Sequence, residues 1–340
     1  MSISKKFSGL ETESIYSAAN SAIWHSHNYA CQNAISNPRE EDFVAALITD
    51  GVPLLSERWG SLLAKKGMSL RISGVFCHGH PQVKFDPPPN RVELADLLVV
   101  HQHIGRSKSF TRAILVQAKM STDATLRLSP TDCQLQLFST WPDFEFVTGG
   151  LKKGLRNFGN NKAGSRYSLI LPHQSYPEQI TWPDQCPWSA SVAQTMLEGE
   201  HSFAKLLGNL LLHKDGRPVS LVSPRGDWSK TVKELLVITG SKTYRRKNIG
   251  RISTPRGTYS NDILANVLFS SDSFASYLCN SNMENQVVPI QQLMFKNIKE
   301  ESNDFGFEPP HNERLHDGGE PRGISTLIIE SSDLDERYEQ

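Results

Sequence analysis

The chain has 340 residues, 38% hydrophobic and 21% charged, with 36 basic and 36 acidic side chains and a formal net charge of zero. That length suits one large domain or two ordinary ones. No apolar run reaches the roughly 18–20 residues that a membrane helix needs, and the opening Met1–Lys6 lacks the apolar core of a secretory signal. Five scattered cysteines without a CxxC pair argue against a disulfide scaffold, so a reduced, cytoplasmic protein is the expectation.

The first 37 residues are polar and rich in Ser and Asn, with a helix expected near Ser14–Ala34. From Pro38, apolar residues recur at helical spacing (Phe43, Leu47, Leu54, Trp59, Leu63), and Pro53 should split that helix in two. Leu70–Cys77 and Val92–Val100 read as strands, and Thr111–Met120 as a third after the turn Gly105–Lys108. A helix should begin at Pro130 and end at Trp141–Pro142, with further strands over Phe144–Val147 and Tyr167–Leu171. This order predicts an α/β core with a mixed central sheet flanked by helices. Beyond it, Ser202–His213 and Trp228–Thr239 read as helices and suggest an α-rich C-terminal region. Residues 300–323 look like a linker, and Ile324–Glu330 suit a strand or docking segment.

The zero net charge hides a split. Residues 300–340 carry twelve acids and three bases, which leaves residues 1–299 with 33 bases against 24 acids, a net of +9. A basic body fits a polyanionic partner such as nucleic acid. The densest basic segment holds Arg245, Arg246, Lys247 and Arg251 as candidate phosphate contacts. The charge split further suggests an acidic tail that covers a basic groove, so that deleting 300–340 would raise DNA binding.

Two of the strands carry charges that a buried strand should not have. Asp96 lies inside Leu94–Val100, and Gln117 and Lys119 lie at the end of Ala113–Met120. Burying a carboxylate and an ammonium costs several kcal/mol without compensation. Alternation puts Asp96 on one face of its strand and Gln117 and Lys119 together on a face of theirs. If the strands are neighbours, a carboxylate, an amide oxygen and an ammonium surround one point. Hard divalent cations take such oxygen ligands. A metal-bound water is a nucleophile for a phosphodiester, and a lysine beside it stabilises the growing charge.

Asp96 followed by Gln117-Ala118-Lys119 after an apolar strand resembles the PD-(D/E)xK (restriction-endonuclease-like) nuclease superfamily, in the variant where Gln replaces the usual second acid. The resemblance spans about residues 38–172. It implies a restriction-endonuclease-like core, a Mg²⁺ or Mn²⁺ site made by Asp96, Gln117, the Ala118 carbonyl and a glutamate from a preceding helix, and Lys119 assisting the water. Glu41 is the first choice for that glutamate and Glu40 the second. Gln134 fits the helix that follows the lysine strand. Glu93 is a candidate to restore the charge that Gln117 lacks, although an unbroken strand would turn it away from Asp96.

The division expected from these readings is an N-terminal helical extension (1–37), a nuclease-like domain (38–172), an α-rich regulatory, DNA-binding or partner-binding region (173–299) and an acidic flexible tail (300–340). The function expected is that of a metal-dependent DNA endonuclease, with the style of an effector of bacterial anti-phage defence. A regulatory or sensor protein partner would gate it, with homo-oligomers an open option and no membrane association. The alternative is a non-catalytic nucleic-acid-binding or scaffold subunit that keeps the fold. RNA remains open as a substrate.

Overall fold

A computed structural model gives the architecture; the residues it describes are 3–77, 81–86, 90–105, 108–159, 162–240, 290–295 and 323–333. In chain order the elements are α1 (Gly9–Asn33), α2 (Glu40–Ala46), α3 (Val52–Ala64), β1 (Met68–Val75), β2 (Gln82–Phe85), β3 (Asn90–Glu93), β4 (Leu97–Ile104), β5 (Ser109–Met120) and β6 (Thr125–Arg127). There follow α4 (Cys133–Thr140), β7 (Phe144–Phe146), β8 (Leu155–Arg156), β9 (Ser165–Ile170), β10 (Trp188–Ser191), β11 (Met196–Glu198), β12 (His201–Ser202) and α5 (Phe203–Leu211). The last are β13 (Arg217–Val219), α6 (Gly226–Gly240), α7 (Ile290–Phe295) and β14 (Ser325–Asp333).

The local sequence explains most boundaries. Ser8 and Glu11 form a capping box at the start of α1, each satisfying the other's backbone donor. Pro53 sits in the first turn of α3, and the chain enters that helix through a wide π turn over Leu47–Gly51. The π turn fits a proline that has no N–H to offer the preceding turn. Asp132 accepts a hydrogen bond from Leu135 N–H and starts α4, which ends where Trp141 adopts φ 46°. Ser202 caps α5 in the same way through Lys205 N–H.

The core is a mixed sheet of order β1-β14-β4-β5-β9-β10-β12, with β13 paired to the first half of β5. β4 and β5 are antiparallel, with Leu97 opposite Val116, and β9 runs parallel to β5. One face (Leu97, Val99, Ile114, Val116, Ile329) packs under α1, α3 and α5. There α1 and α5 come so close that a Cβ on Gly208 would lie 2.5 Å from the Tyr16 ring. The other face (Leu98, Val100, Ala113, Leu115, Ile328) packs against the aromatic residues Phe138, Trp141, Phe144 and Phe158 and the helix α6. A four-stranded sheet β3-β2-β7-β8 covers that side. No described helix is long and apolar enough to cross a membrane.

Four expectations need correction. Val92–Val100 is not one strand: β3 belongs to the small sheet, β4 to the large one, and Leu94–Asp96 bends between them. The C-terminal region is not simply α-rich, since β10, β12 and β13 all join the central sheet. Nor is 300–340 a flexible acidic tail throughout, because Ser325–Asp333 forms β14 between β1 and β4, buried along nearly its whole length. Its Glu330 is fully buried, accepts two hydrogen bonds from Arg71 at 3.2 and 2.9 Å, and accepts the Ile290 N–H at 2.8 Å. Deleting 300–340 would therefore remove a central strand together with the buried carboxylate that holds Arg71. That deletion tests folding and not gating. The expected N-terminal extension is likewise part of the body: α1 packs on α3 and α5, and Trp59 Nε1–H donates to the Ile15 carbonyl at 2.9 Å.

Candidate active site

The site is built where two ladders run out. Asp96 directly precedes β4, and its N–H still donates to the Val116 carbonyl at 3.0 Å. Its side chain is 9% exposed and reaches across to β5. There Asp96 Oδ2 accepts the Ala118 N–H at 2.6 Å and a hydrogen bond from Gln117 Nε2. With nitrogen turned to Asp96, the other amide atom of Gln117, Oε1, is buried with no hydrogen-bond partner among the described residues. Lys119 lies two residues further on the same face of β5, half-buried, and its charge acts on both Asp96 and Glu93.

The bend at Leu94–Asp96 decides the chemistry. Leu94 N–H donates to the Pro81 carbonyl at 2.9 Å, and Gln134 Nε2 of α4 donates to the Leu94 carbonyl at 3.4 Å. Because the strand breaks here, Glu93 does not alternate away from Asp96; the two carboxyl groups are hydrogen-bonded to each other. Burial is the first cause that raises Glu93 from 4.5 to about 7, and the charge of Glu41 adds to it, while the bond to Asp96 and the charge of Lys119 oppose it. Burial, then the charge of Glu93, hold Asp96 well above its usual range. At neutral pH such a pair keeps a proton, because two anions in contact in a dry site repel.

The other expected residues divide cleanly. Glu41 occupies the first turn of α2, half-buried and 3.8 Å from Arg39, and its charge reaches Glu93. Glu40 precedes it, and nothing among the described residues joins Glu40 to the acid pair. Asp42, in the same turn, is fully buried and accepts the Arg39 N–H as a helix cap. Gln134 holds the bend through the Leu94 carbonyl, a positioning role. Arg245, Arg246, Lys247 and Arg251 lie outside the described residues.

Tyr167 was not anticipated. It stands opposite Gln117 on β9, fully buried, its hydroxyl without a partner among the described residues. Burial first, then the charges of Asp132 and Asp96, raise its pKa. The only sequence signal was a tyrosine inside an apolar strand.

Among the described residues no three His, Cys, Asp or Glu side chains gather closely enough to hold a metal ion. What is gathered is two carboxyl groups, an unpaired amide oxygen, a phenol and an ammonium. Comparison with protein-family models, with curated proteins and with solved structures gives no match to this chain.

Proposed function

We propose that this protein is a metal-dependent phosphodiesterase acting on DNA, an endonuclease with a PD-(D/E)xK-like, restriction-endonuclease-like site. The observation that carries the reading is the Glu93–Asp96 carboxyl pair facing Gln117, whose Oε1 is buried without a partner, with Lys119 beside them. Two strained acids and an orphan acceptor, all oxygen donors, suit a hard cation. Asp96, Glu93 and Gln117 would hold Mg²⁺ or Mn²⁺. In an extended strand N–H and C=O of a residue point to the same neighbour, so the Ala118 carbonyl is available on that side too. Glu41 is close enough in charge to assist.

The ion supplies charge neutralisation and a water of lowered pKa. The chain's own residues do the rest. To hold the ion Glu93 and Asp96 would both have to be ionised, so affinity should rise with pH as their raised carboxyl groups lose their protons. The Lys119 ammonium orients the attacking water and stabilises the charge gathering on the phosphate oxygens. Water would add to phosphorus as the bond to the leaving deoxyribose oxygen breaks and a proton of that water passes to the leaving oxygen, which yields a phosphate monoester and a hydroxyl. Gln134 keeps the bend in place. Glu93 thus provides the second acid that Gln117 lacks at its own position.

The test is plasmid cleavage by the full chain with Mg²⁺ or Mn²⁺, alongside Asp96→Ala and Lys119→Ala. Nicking by the parent and none by either variant is expected; parent and variants behaving alike would sink the reading. A second reading, a non-catalytic nucleic-acid-binding subunit, is favoured by one observation: Asp96 Oδ2 already accepts two hydrogen bonds. It predicts no cleavage with either ion and an Asp96→Asn variant that keeps full binding. A role in anti-phage defence with a gating partner protein follows from the same reading and is tested by phage plating with Asp96→Ala as control.

A further inference from the structure

Distant from the acid pair, a groove of about 740 Å³ runs between the loop leading into β8 and one side of α6. Five cations line it (Lys152, Lys153, Arg156, Lys230, Lys233) against two acids. Both acids are engaged: Glu234 takes Arg156 at 2.9 Å, and Asp227 takes Lys230 at 3.4 Å. Among the described residues no acid pairs with Lys152, Lys153 or Lys233, and the first two are exposed.

We propose that this groove seats the phosphate backbone of duplex DNA and sets its register on the acid pair; the inference rests on the phosphodiesterase reading and names where its substrate is held. The small sheet connects the two places. Glu93 lies on β3 at one edge and Arg156 on β8 at the other, three strand spacings apart. Glu93 pairs with Gln82, whose carbonyl accepts Val147 N–H, and Arg156 pairs with Phe144, three residues back along β7. At about 4.8 Å between strands and 3.3 Å along them, the separation is on the order of 17 Å. That is about half a turn of B-form DNA, whose repeat is roughly 34 Å. A duplex held by the groove thus presents another backbone stretch to Glu93 and Asp96. Lysine ammoniums and the short Gly-rich loop suit phosphate contact without sequence reading. Glu234 accepts both Arg156 and the Lys152 N–H, which fixes the loop backbone against α6 before DNA arrives.

The test is fluorescence anisotropy of a ~30-bp DNA duplex with the full chain, metal-free, over a range of salt. Lys152→Ala/Lys153→Ala/Lys233→Ala is compared with the control Lys5→Ala/Arg58→Ala/Lys65→Ala, which removes equal charge from exposed sites remote from the groove. Circular dichroism confirms that both fold. Loss of three phosphate contacts should lower affinity about tenfold or more at physiological salt, and should cut the slope of log K against log salt by about 2.7. The control should match the parent. A groove variant with the parent's affinity and slope, or a control that falls equally, overturns the proposal. So does tighter groove-dependent binding of an RNA duplex. Groove-dependent binding without cleavage sinks the nuclease reading and leaves the groove standing. Cleavage with groove-independent binding does the reverse.

Discussion

Strand β4 has a titratable cluster at each end, and they differ in how their bonds are closed. At its start Glu93 and Asp96 are both raised by burial, Asp96 also by the charge of Glu93, and the neighbouring Gln117 Oε1 and Tyr167 hydroxyl are buried without partners among the described residues. Towards its far end His101 and His103 are equally buried but connected. His101 Nδ1–H faces the Leu210 carbonyl at 3.0 Å, which leaves Nε2 to accept the Ser331 hydroxyl at 2.9 Å. The same Ser331 Oγ meets His103 Nδ1 at 2.9 Å, and Asp333 lies 3.6 Å from His103 Nε2. Burial lowers both histidines, keeping His101 neutral, and the tilted ring of His213 lies 4.6 Å from His101, its own Nε2 buried without a partner among the described residues. Buried titratable groups alone do not mark a functional site; what sets the start of β4 apart is two carboxyl groups in contact beside unpartnered polar atoms.

The largest expected effect separates the two ends by activity. Asp96→Ala should reduce cleavage by about 10³-fold or more, as losing a group that holds and stabilises reacting charge does. Ser331→Ala should leave the rate unchanged at permissive temperature. Equal losses in both would erase the distinction. Next, Glu93→Gln should stabilise the metal-free protein by on the order of 2 kcal/mol at pH 8, read by chemical denaturation. The sign follows from Glu93 being raised from 4.5 to about 7: the folded parent holds a proton that the unfolded chain loses, so the parent weakens as pH rises through that window. The advantage of the variant should therefore vanish below pH 4.5.

Ser331→Ala removes one hydroxyl serving two buried imidazoles and should cost about 1–3 kcal/mol in thermal or denaturant unfolding. The histidine end should respond to pH in the opposite sense. There His213 is lowered to about 4 by burial and His101 falls well below 6.5, and on α1 His27 is likewise lowered to about 4. The unfolded chain takes protons first, so stability should fall as pH drops from 6.5 towards 4. A melting profile that peaks between pH 6 and 7 fits opposed clusters; a monotonic profile would contradict one of them. The smallest effect belongs to Gln134→Leu, which loses a 3.4 Å bond and should cost under about 1 kcal/mol while lowering cleavage through the displaced bend.

Much of the site could be read in the sequence because it depends on local alternation. Asp96, Gln117 and Lys119 were placed on strands by apolar patterning, and β4 and β5 are neighbours in register at Leu97 and Val116. Glu93 could not be placed, because periodicity assumes an unbroken strand, and the break at Leu94–Asp96 is made by Pro81 and Gln134 from elsewhere in the chain. Tyr167 was hidden for the same reason: which strand pairs with Gln117 is a matter of sheet order. The position of β14 was the least legible. Ile324–Glu330 is apolar enough for a strand, yet nothing local says that it inserts between β1 and β4.

By itself the sequence determined most of the helices, the main apolar strands and the three polar residues that interrupt them, since each follows from contacts within a few residues. Only the tertiary structure decided that Glu93 meets Asp96, that Gln117 Oε1 and the Tyr167 hydroxyl lie buried without described partners, and that Ser325–Asp333 is core. These depend on hydrogen-bond partners and burial supplied by segments tens to hundreds of residues away. A buried polar atom takes its energy, and its chemistry, from such neighbours.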